Sequence, residues 1–149
     1  MKVLHHAAVC TRDVERALHF YRDGLGLEVL MDHEFDGDWP GLFRASGTRL
    51  RSVLLGDAAS PDAGIVELVV LPSGLADTED PRDEPAAGFF LLSFFVDDLE
   101  LMLTRLADLG FADPPRRIEV PGPRGPVAMA TVRDPDGVLV ELIEASAPT

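Results

Sequence analysis

Asp13-Val14-Glu15-Arg16-Ala17-Leu18-His19-Phe20-Tyr21 and Asp98-Leu99-Glu100-Leu101-Met102-Leu103-Thr104-Arg105-Leu106 carry one pattern twice. Val14, Ala17, Leu18 and Tyr21 fall at i, i+3, i+4 and i+7, which is one face of a helix. Leu99, Met102, Leu103 and Leu106 repeat that spacing, each 85 residues further on. An aspartate stands just before each run, where its side chain can accept from the N–H groups of a first helical turn. Both runs end at a similar phrase, Leu25-Gly26-Leu27 and Leu109-Gly110-Phe111, where glycine can close a helix.

A second correspondence lies outward from the helices. Pro61-Asp62-Ala63-Gly64-Ile65-Val66-Glu67-Leu68 matches Pro135-Asp136-Gly137-Val138-Leu139-Val140-Glu141-Leu142, now at an offset of 74. The first half therefore carries eleven extra residues, which fit the polar loop around 36–47 and the turn around 57–63. Around each helix the β-branched and aromatic runs read as strands bounded by Pro, Asp and Gly. They cover 3–10, 28–35, 50–55 and 65–71 in the first half, and 89–96, 116–120, 127–133 and 138–144 in the second. The reading is an α+β chain of two βαβββ modules, 1–71 and 89–149, with helices over 14–22 and 99–108. Between them, 72–88 holds five acids, one base and several Pro and Gly, the composition of a linker.

Bulk composition narrows the function. The formal net charge is −13, which opposes nucleic-acid binding, since phosphate contacts need clustered Lys and Arg. No apolar run approaches the roughly 18 residues of a membrane span. The N-terminal Met1-Lys2-Val3-Leu4-His5-His6 lacks the apolar core of a signal peptide. One cysteine, Cys10, cannot build an internal disulfide and reads as a small apolar filler. A cytoplasmic protein with a small-molecule ligand is the expectation.

Two residues break the apolar pattern in the same place. Glu67 sits within Ile65–Val70 and Glu141 within Leu139–Ile143, each flanked by apolar residues on both strand faces. A carboxylate there stands at an exposed edge or is satisfied by a partner. Its recurrence in both modules favours the partner. His6 shares a strand face with Leu4, Ala8 and Cys10, seven residues before the cap Asp13.

These motifs, in this order, resemble the vicinal-oxygen-chelate superfamily, the glyoxalase/bleomycin-resistance/dioxygenase group. His6-Ala7-Ala8-Val9-Cys10-Thr11-Arg12-Asp13-Val14 with Phe20-Tyr21 and Leu25-Gly26-Leu27 is similar to the family's opening. Asp134-Pro135-Asp136-Gly137 with Glu141-Leu142 is similar to its closing strand. The resemblance implies a cupped mixed sheet with helices outside, and a metal ligand on the first and last strand of each module. By position it assigns His6, Glu67 and Glu141 as ligands. The fourth position, seven residues before Asp98, is Leu91, which cannot bind a metal. A divalent ion (Mn, Mg, Co, Fe or Zn) is then weakly bound or absent, with water or substrate in place of the fourth ligand.

The resemblance implies a glyoxalase-like lyase or isomerase acting on a small carbonyl compound or thioester through an enolate, with Glu141 and Glu67 as catalytic residues. The alternative is a metal-free small-molecule or antibiotic binding protein of the bleomycin-resistance type. Ser93 and Phe95 share the face of Leu91 and are expected to line the same cavity. Trp39, in the long loop, is expected to cover it, and Arg124, in the Pro- and Gly-rich turn 121–126, to meet an anionic group. An uncovered sheet face implies a homodimer.

Overall fold

Asp13 and Asp98 start their helices in the same way. In the computed structural model, which describes residues 2–72, 75–76, 84–111 and 114–145, the Asp13 carboxylate accepts from the N–H of Arg16 and that of Asp98 from the N–H of Leu101. Each such cap contributes about 1 kcal/mol. The elements run β1 (His6–Cys10), α1 (Val14–Leu18), a π-helical turn (His19–Gly24), β2 (Glu28–Asp36), α2 (Trp39–Phe43), β3 (Arg49–Gly56), β4 (Ile65–Val70), β5 (Leu92–Val96), α3 (Leu99–Asp108), β6 (Arg116–Gly122), β7 (Gly125–Arg133) and β8 (Leu139–Glu144). The chain divides into two compact units, Met1–Glu79 and Asp80–Thr149. That division falls inside the expected linker, of which residues 73–74 and 77–83 lie outside the described residues. Among the described residues no helix is long and apolar enough to cross a membrane.

Each unit holds one four-stranded mixed sheet of the same topology. The order is β1-β4-β3-β2 in the first and β5-β8-β7-β6 in the second. The first strand of each module pairs parallel with the last, and the other neighbours are antiparallel. The eleven extra residues fall where the sequence allows them. Between the paired residues Asp36 and Arg49 the first module has twelve residues, and between Pro121 and Pro126 the second has four. The difference of eight is the excursion that holds α2, a helix where a loop was expected. Asp38 caps it by accepting from the N–H of Gly41, and Pro40 occupies its first turn, where a missing N–H is harmless. The remaining three extra residues lie in the turn between β3 and β4. The expected strands over 3–5 and 89–91 do not form; β1 starts at His6 and β5 at Leu92.

The helical stripes become the core. Ala17, Leu18 and Tyr21 are buried against the first sheet with Val53, Leu55, Val66 and Leu68. Leu99, Leu103 and Leu106 do the same in the second unit with Ala130, Val140 and Leu142. Phe20 and Tyr21 are fully buried and meet edge to face, centroids 4.9 Å apart. Such a pair adds about 0.5–1.5 kcal/mol beyond the area it buries.

The two helices end differently by one residue. In α3 the N–H of Leu109 bonds the carbonyl of Arg105, and that of Phe111 bonds Leu106. In the first unit the N–H of Leu25 bonds Phe20, and that of Leu27 bonds Tyr21. Every closing bond spans one residue more. The cause is in the sequence: Tyr21 and Leu106 are 85 apart, whereas Leu25 and Leu109 are 84 apart. The extra residue is absorbed as the π-helical turn. Gly26 and Gly110 then end both helices at φ of 84° and 94°, a left-handed conformation that glycine adopts without a Cβ penalty.

Candidate functional site

In the first unit His6 opens β1 and Glu67 lies mid-strand in β4, where Ala8 is its register partner. His6 and Glu67 share the sheet face away from α1. His6 Nε2 stands 3.6 Å from Glu67 Oε1, too far for a hydrogen bond. Ser52, on β3 and 2% exposed, donates its hydroxyl to Glu67 Oε2 at 2.6 Å. This is a charge-assisted bond that fixes the carboxylate plane. The other ring nitrogen of His6, Nδ1, is 2.8 Å from Nδ1 of His5, so one of the two rings donates and the other accepts. If His6 donates, its Nε2 lone pair is directed beside Glu67.

The second unit repeats the carboxylate but supports it differently. Ser93 faces Glu141 in the β5–β8 register, as Ala8 faces Glu67. Its hydroxyl donates to Glu141 Oε1 at 2.8 Å. The hydroxyl thus comes from β3 in one module and from the opposite neighbour in the other. Leu91 lies two residues before Ser93, just as His6 lies two before Ala8. Leu91 precedes the paired residues, which begin at Leu92, so its match to His6 is one of sequence position. The phrase Asp134-Pro135-Asp136-Gly137 builds the turn that delivers Glu141. Buried Asp134 accepts from the N–H groups of Asp136 and Val138.

Glu141 does not stand alone on its face. Thr131 is its partner on β7, and Arg116 is the partner of Thr131 on β6. Arg116, Ile118, Met129, Thr131 and Glu141 line a cavity of about 130 Å³. A larger cleft, about 500 Å³, is lined by Phe89, Phe90, Arg116, Thr131, Arg133 and Leu139, with Glu84 also at its wall. Sequence reasoning missed Ser52, Thr131, Arg116 and Arg133. For Ser52 a signal existed: it is a polar residue at an inward position of the apolar run 50–55.

The other expected residues are placed as follows. Phe95 lies on the face of Ser93 and is 79% exposed. Trp39 stacks on Phe43, centroids 5.5 Å apart, and its Nε1 donates to the carbonyl of Phe35. Arg124 is exposed in the two-residue turn between β6 and β7, seven residues along the chain from Thr131. Cys10 is exposed on the face of His6, not a buried filler.

The comparisons bear on the family directly. The profile of the Glyoxalase/Bleomycin resistance protein/Dioxygenase superfamily matches residues 3–142. The chain belongs to this superfamily. It is 37% identical over 145 residues to the lactoylglutathione lyase-like protein terB of Aspergillus terreus, covering 94% of this chain and 74% of that one. Among solved structures, a glyoxalase family protein from Bacillus cereus matches with a TM-score of 0.74 at 18% identity, over 97% of this chain and 94% of its own. The trypanothione-dependent glyoxalase I of Leishmania major matches with a TM-score of 0.64 at 21% identity, over 97% and 87%. At these identities the structural likeness concerns the fold.

For this superfamily a divalent ion must be tested against the residues present. Two donors each about 2.0–2.2 Å from one ion lie roughly 3–3.6 Å apart. His6 Nε2 and Glu67 Oε1, 3.6 Å apart, match the upper end of that range. The pair fits neighbouring positions on an ion. Among the described residues of either unit, no three His, Cys, Asp or Glu side chains gather as a metal-holding group.

Proposed function

We propose that this chain is a glyoxalase-like lyase or isomerase that moves a proton beside the carbonyl of a small carbonyl compound or thioester. The observation that supports this reading is the doubled serine–glutamate pair. Each module holds one carboxylate at the same strand position, on the sheet face away from its helix, oriented by a hydroxyl. A carboxylate held at one oxygen keeps the other available for proton transfer.

Glu141 is the base in this reading. Ser93 occupies its Oε1, and among the described residues Oε2 has no partner. The carboxylate takes the proton from the carbon beside the carbonyl, and the C–H electron pair moves toward the carbonyl oxygen as the enolate forms. The carboxyl group, whose proton exchanges with solvent, then returns a proton to that carbon or to its neighbour, so the step needs no oxidant. Ser93 holds the carboxylate in one orientation throughout. In the first module His6 and Glu67 are the residues that would hold a divalent ion (Mn²⁺, Mg²⁺, Co²⁺, Fe²⁺ or Zn²⁺). When bound, such an ion supplies a Lewis acid for the enolate oxygen.

Leu91 sets the test. Wild-type protein is expected to bind Mn²⁺ weakly and to lose it on dialysis. Leu91→His adds an imidazole where His6 stands in the other module, and should tighten binding by about tenfold or more in isothermal titration. Wild-type protein that retains a stoichiometric ion after dialysis would contradict the weak-site reading. If neither protein takes up Mn²⁺, the second reading leads, a metal-free small-molecule or antibiotic binding protein. The leucine in the position of His6 is the observation that favours it.

Two chains are also proposed to pair. Phe95, Ile143, Met129 and Ile118 form one rung across the second sheet, and Phe95 and Ile118 are 79% and 60% exposed. Apolar surface of this kind is covered in an association. Light scattering at micromolar concentration should give twice the chain mass of 16.1 kDa; a monomer there refutes pairing.

A further inference from the structure

We propose that the cleft of the second unit binds the carboxylate of the substrate, and that Arg116 and Arg133 select an anionic compound over its neutral analogue. The substrate class is then a small organic carboxylate with an apolar or aromatic body. The role of this compound as substrate rests on the proposed function; its binding rests on the cleft alone.

The register brings the residues together. Arg116, Thr131 and Glu141 occupy one rung of the sheet, and side chains on one rung share a face. Arg133 is two residues from Thr131 on β7 and so shares that face too. Arg116 and Arg133 are diagonal neighbours, a relation that separates Cα atoms by about 7–8 Å. Two guanidinium groups on long stems can close over one carboxylate from that spacing. Both line the 500 Å³ cleft, with Thr131 between them and Phe89, Phe90 and Leu139 forming the apolar wall. That volume lies in the range of small-molecule sites, about 300–1,000 Å³.

Among the described residues, charge accounting leaves these two, like Arg44 and Arg124, without an acidic partner. The chain has 26 acidic residues to 13 Lys and Arg, and several of its arginines are taken up by acids. Arg22 pairs with Asp23, Arg49 with Glu34, Arg51 with Asp32, and Arg117 with Glu100. Among the described residues no acid pairs with Arg116 or Arg133. Arg133 donates Nη1 to the carbonyl of Gly137 at 3.0 Å, which anchors it beside the turn into β8. Its remaining N–H groups, and all those of Arg116, are available to a ligand.

Two further points identify the ligand. Arg116 lines the small cavity with Glu141 as well as the large cleft. A carboxylate gripped by Arg116 would therefore hold its neighbouring carbon toward Glu141. Glu84 also lines the cleft. Its charge repels a phosphate dianion more than a carboxylate, and the planar guanidinium fork matches a carboxylate with two parallel bonds.

Phenylpyruvate, its methyl ester and inorganic phosphate are the probes, titrated calorimetrically at low ionic strength. Wild-type protein should bind the acid about tenfold or more tightly than the ester. Arg116→Gln and Arg133→Gln should each weaken the acid by about tenfold and leave the ester unchanged. Both arginines are exposed, and the variants should melt within a few degrees of wild type, a check that they fold. Equal binding of acid and ester overturns the proposal, as does unchanged affinity in both variants or no binding of the acid at millimolar concentration. Displacement of the acid by equimolar phosphate overturns the choice of carboxylate. Glu141→Gln separates the two readings. It should keep the affinity for the acid, so lost proton exchange with intact binding supports the base and the cleft together. Intact exchange with no selectivity for the acid overturns the cleft and leaves the proposed function standing.

Discussion

Glutamine at position 141 should lower the rate of solvent-deuterium exchange beside a substrate carbonyl by about 10²–10⁴-fold, the usual contribution of a positioned general base. Glutamine keeps the shape of the side chain and can still accept from the Ser93 hydroxyl, which now meets Glu141 Oε1 at 2.8 Å. What it cannot do is carry the proton. Proton NMR in D₂O reads the exchange directly. Glu67→Gln should instead weaken Mn²⁺ uptake, since Glu67 stands 3.6 Å from His6 Nε2 and on the proposed reading that pair would hold an ion. Excess Mn²⁺ should restore nothing to Glu141→Gln. Wild-type exchange in Glu141→Gln would remove Glu141 from the chemistry.

Truncating Phe20 to alanine should cost about 3–5 kcal/mol, the range for a fully buried aromatic side chain. Phe20 is 0% exposed and meets Tyr21 edge to face at 4.9 Å. Against a total stability of about 5–15 kcal/mol, that loss is a large fraction. For a chain of this size the melting temperature should fall on the order of 10 °C. Leu101→Ala is the control. Leu101 is 67% exposed on α3, and its truncation should change stability by less than about 0.5 kcal/mol. A Phe20→Ala melt within two or three degrees of wild type, as roughly expected for a surface change, would mean that the first core is looser than its burial indicates.

The repeat made much of this fold legible. A helical stripe recurring at constant offset identifies two modules, and each stripe ends on an aspartate cap at one side and a glycine at the other. Period-two alternation groups His6 with Leu4, Ala8 and Cys10 on one face of its strand, Glu67 with Ile65 and Val69 on one face of its own, and Leu91 with Ser93 and Phe95. Alternation states which face a residue occupies but not its lateral neighbour. Lateral neighbours depend on register, and register depends on turn lengths. Ser52 reaches Glu67 only because the β3–β4 turn sets it diagonally across. Arg116 joins the row of Glu141 only through two successive pairings. Cys10 was misread despite the available rule, since alternation with buried Val9 already sets it on the open face of His6. The helix α2 escaped because five residues bearing Pro40 and Gly41 show too little periodicity to distinguish a turn of helix from a loop.

The π-helical turn at His19–Gly24 has a consequence for how the two halves can drift apart in length. One residue added within a strand shifts all that follow by one position, and a shift of one turns every core side chain outward. Added to a helix end, the same residue lengthens the closing bonds, from Leu109–Arg105 to Leu25–Phe20. The connection to the next strand then differs by the compensating residue: Leu27 and His33 are six apart, Phe111 and Ile118 seven. His33 opposite Ser52 and Ile118 opposite Met129 therefore stand 85 residues apart again. The helix end and the connection after it act together as an expansion joint, trading one residue between them while the sheets that carry the carboxylates keep their alignment.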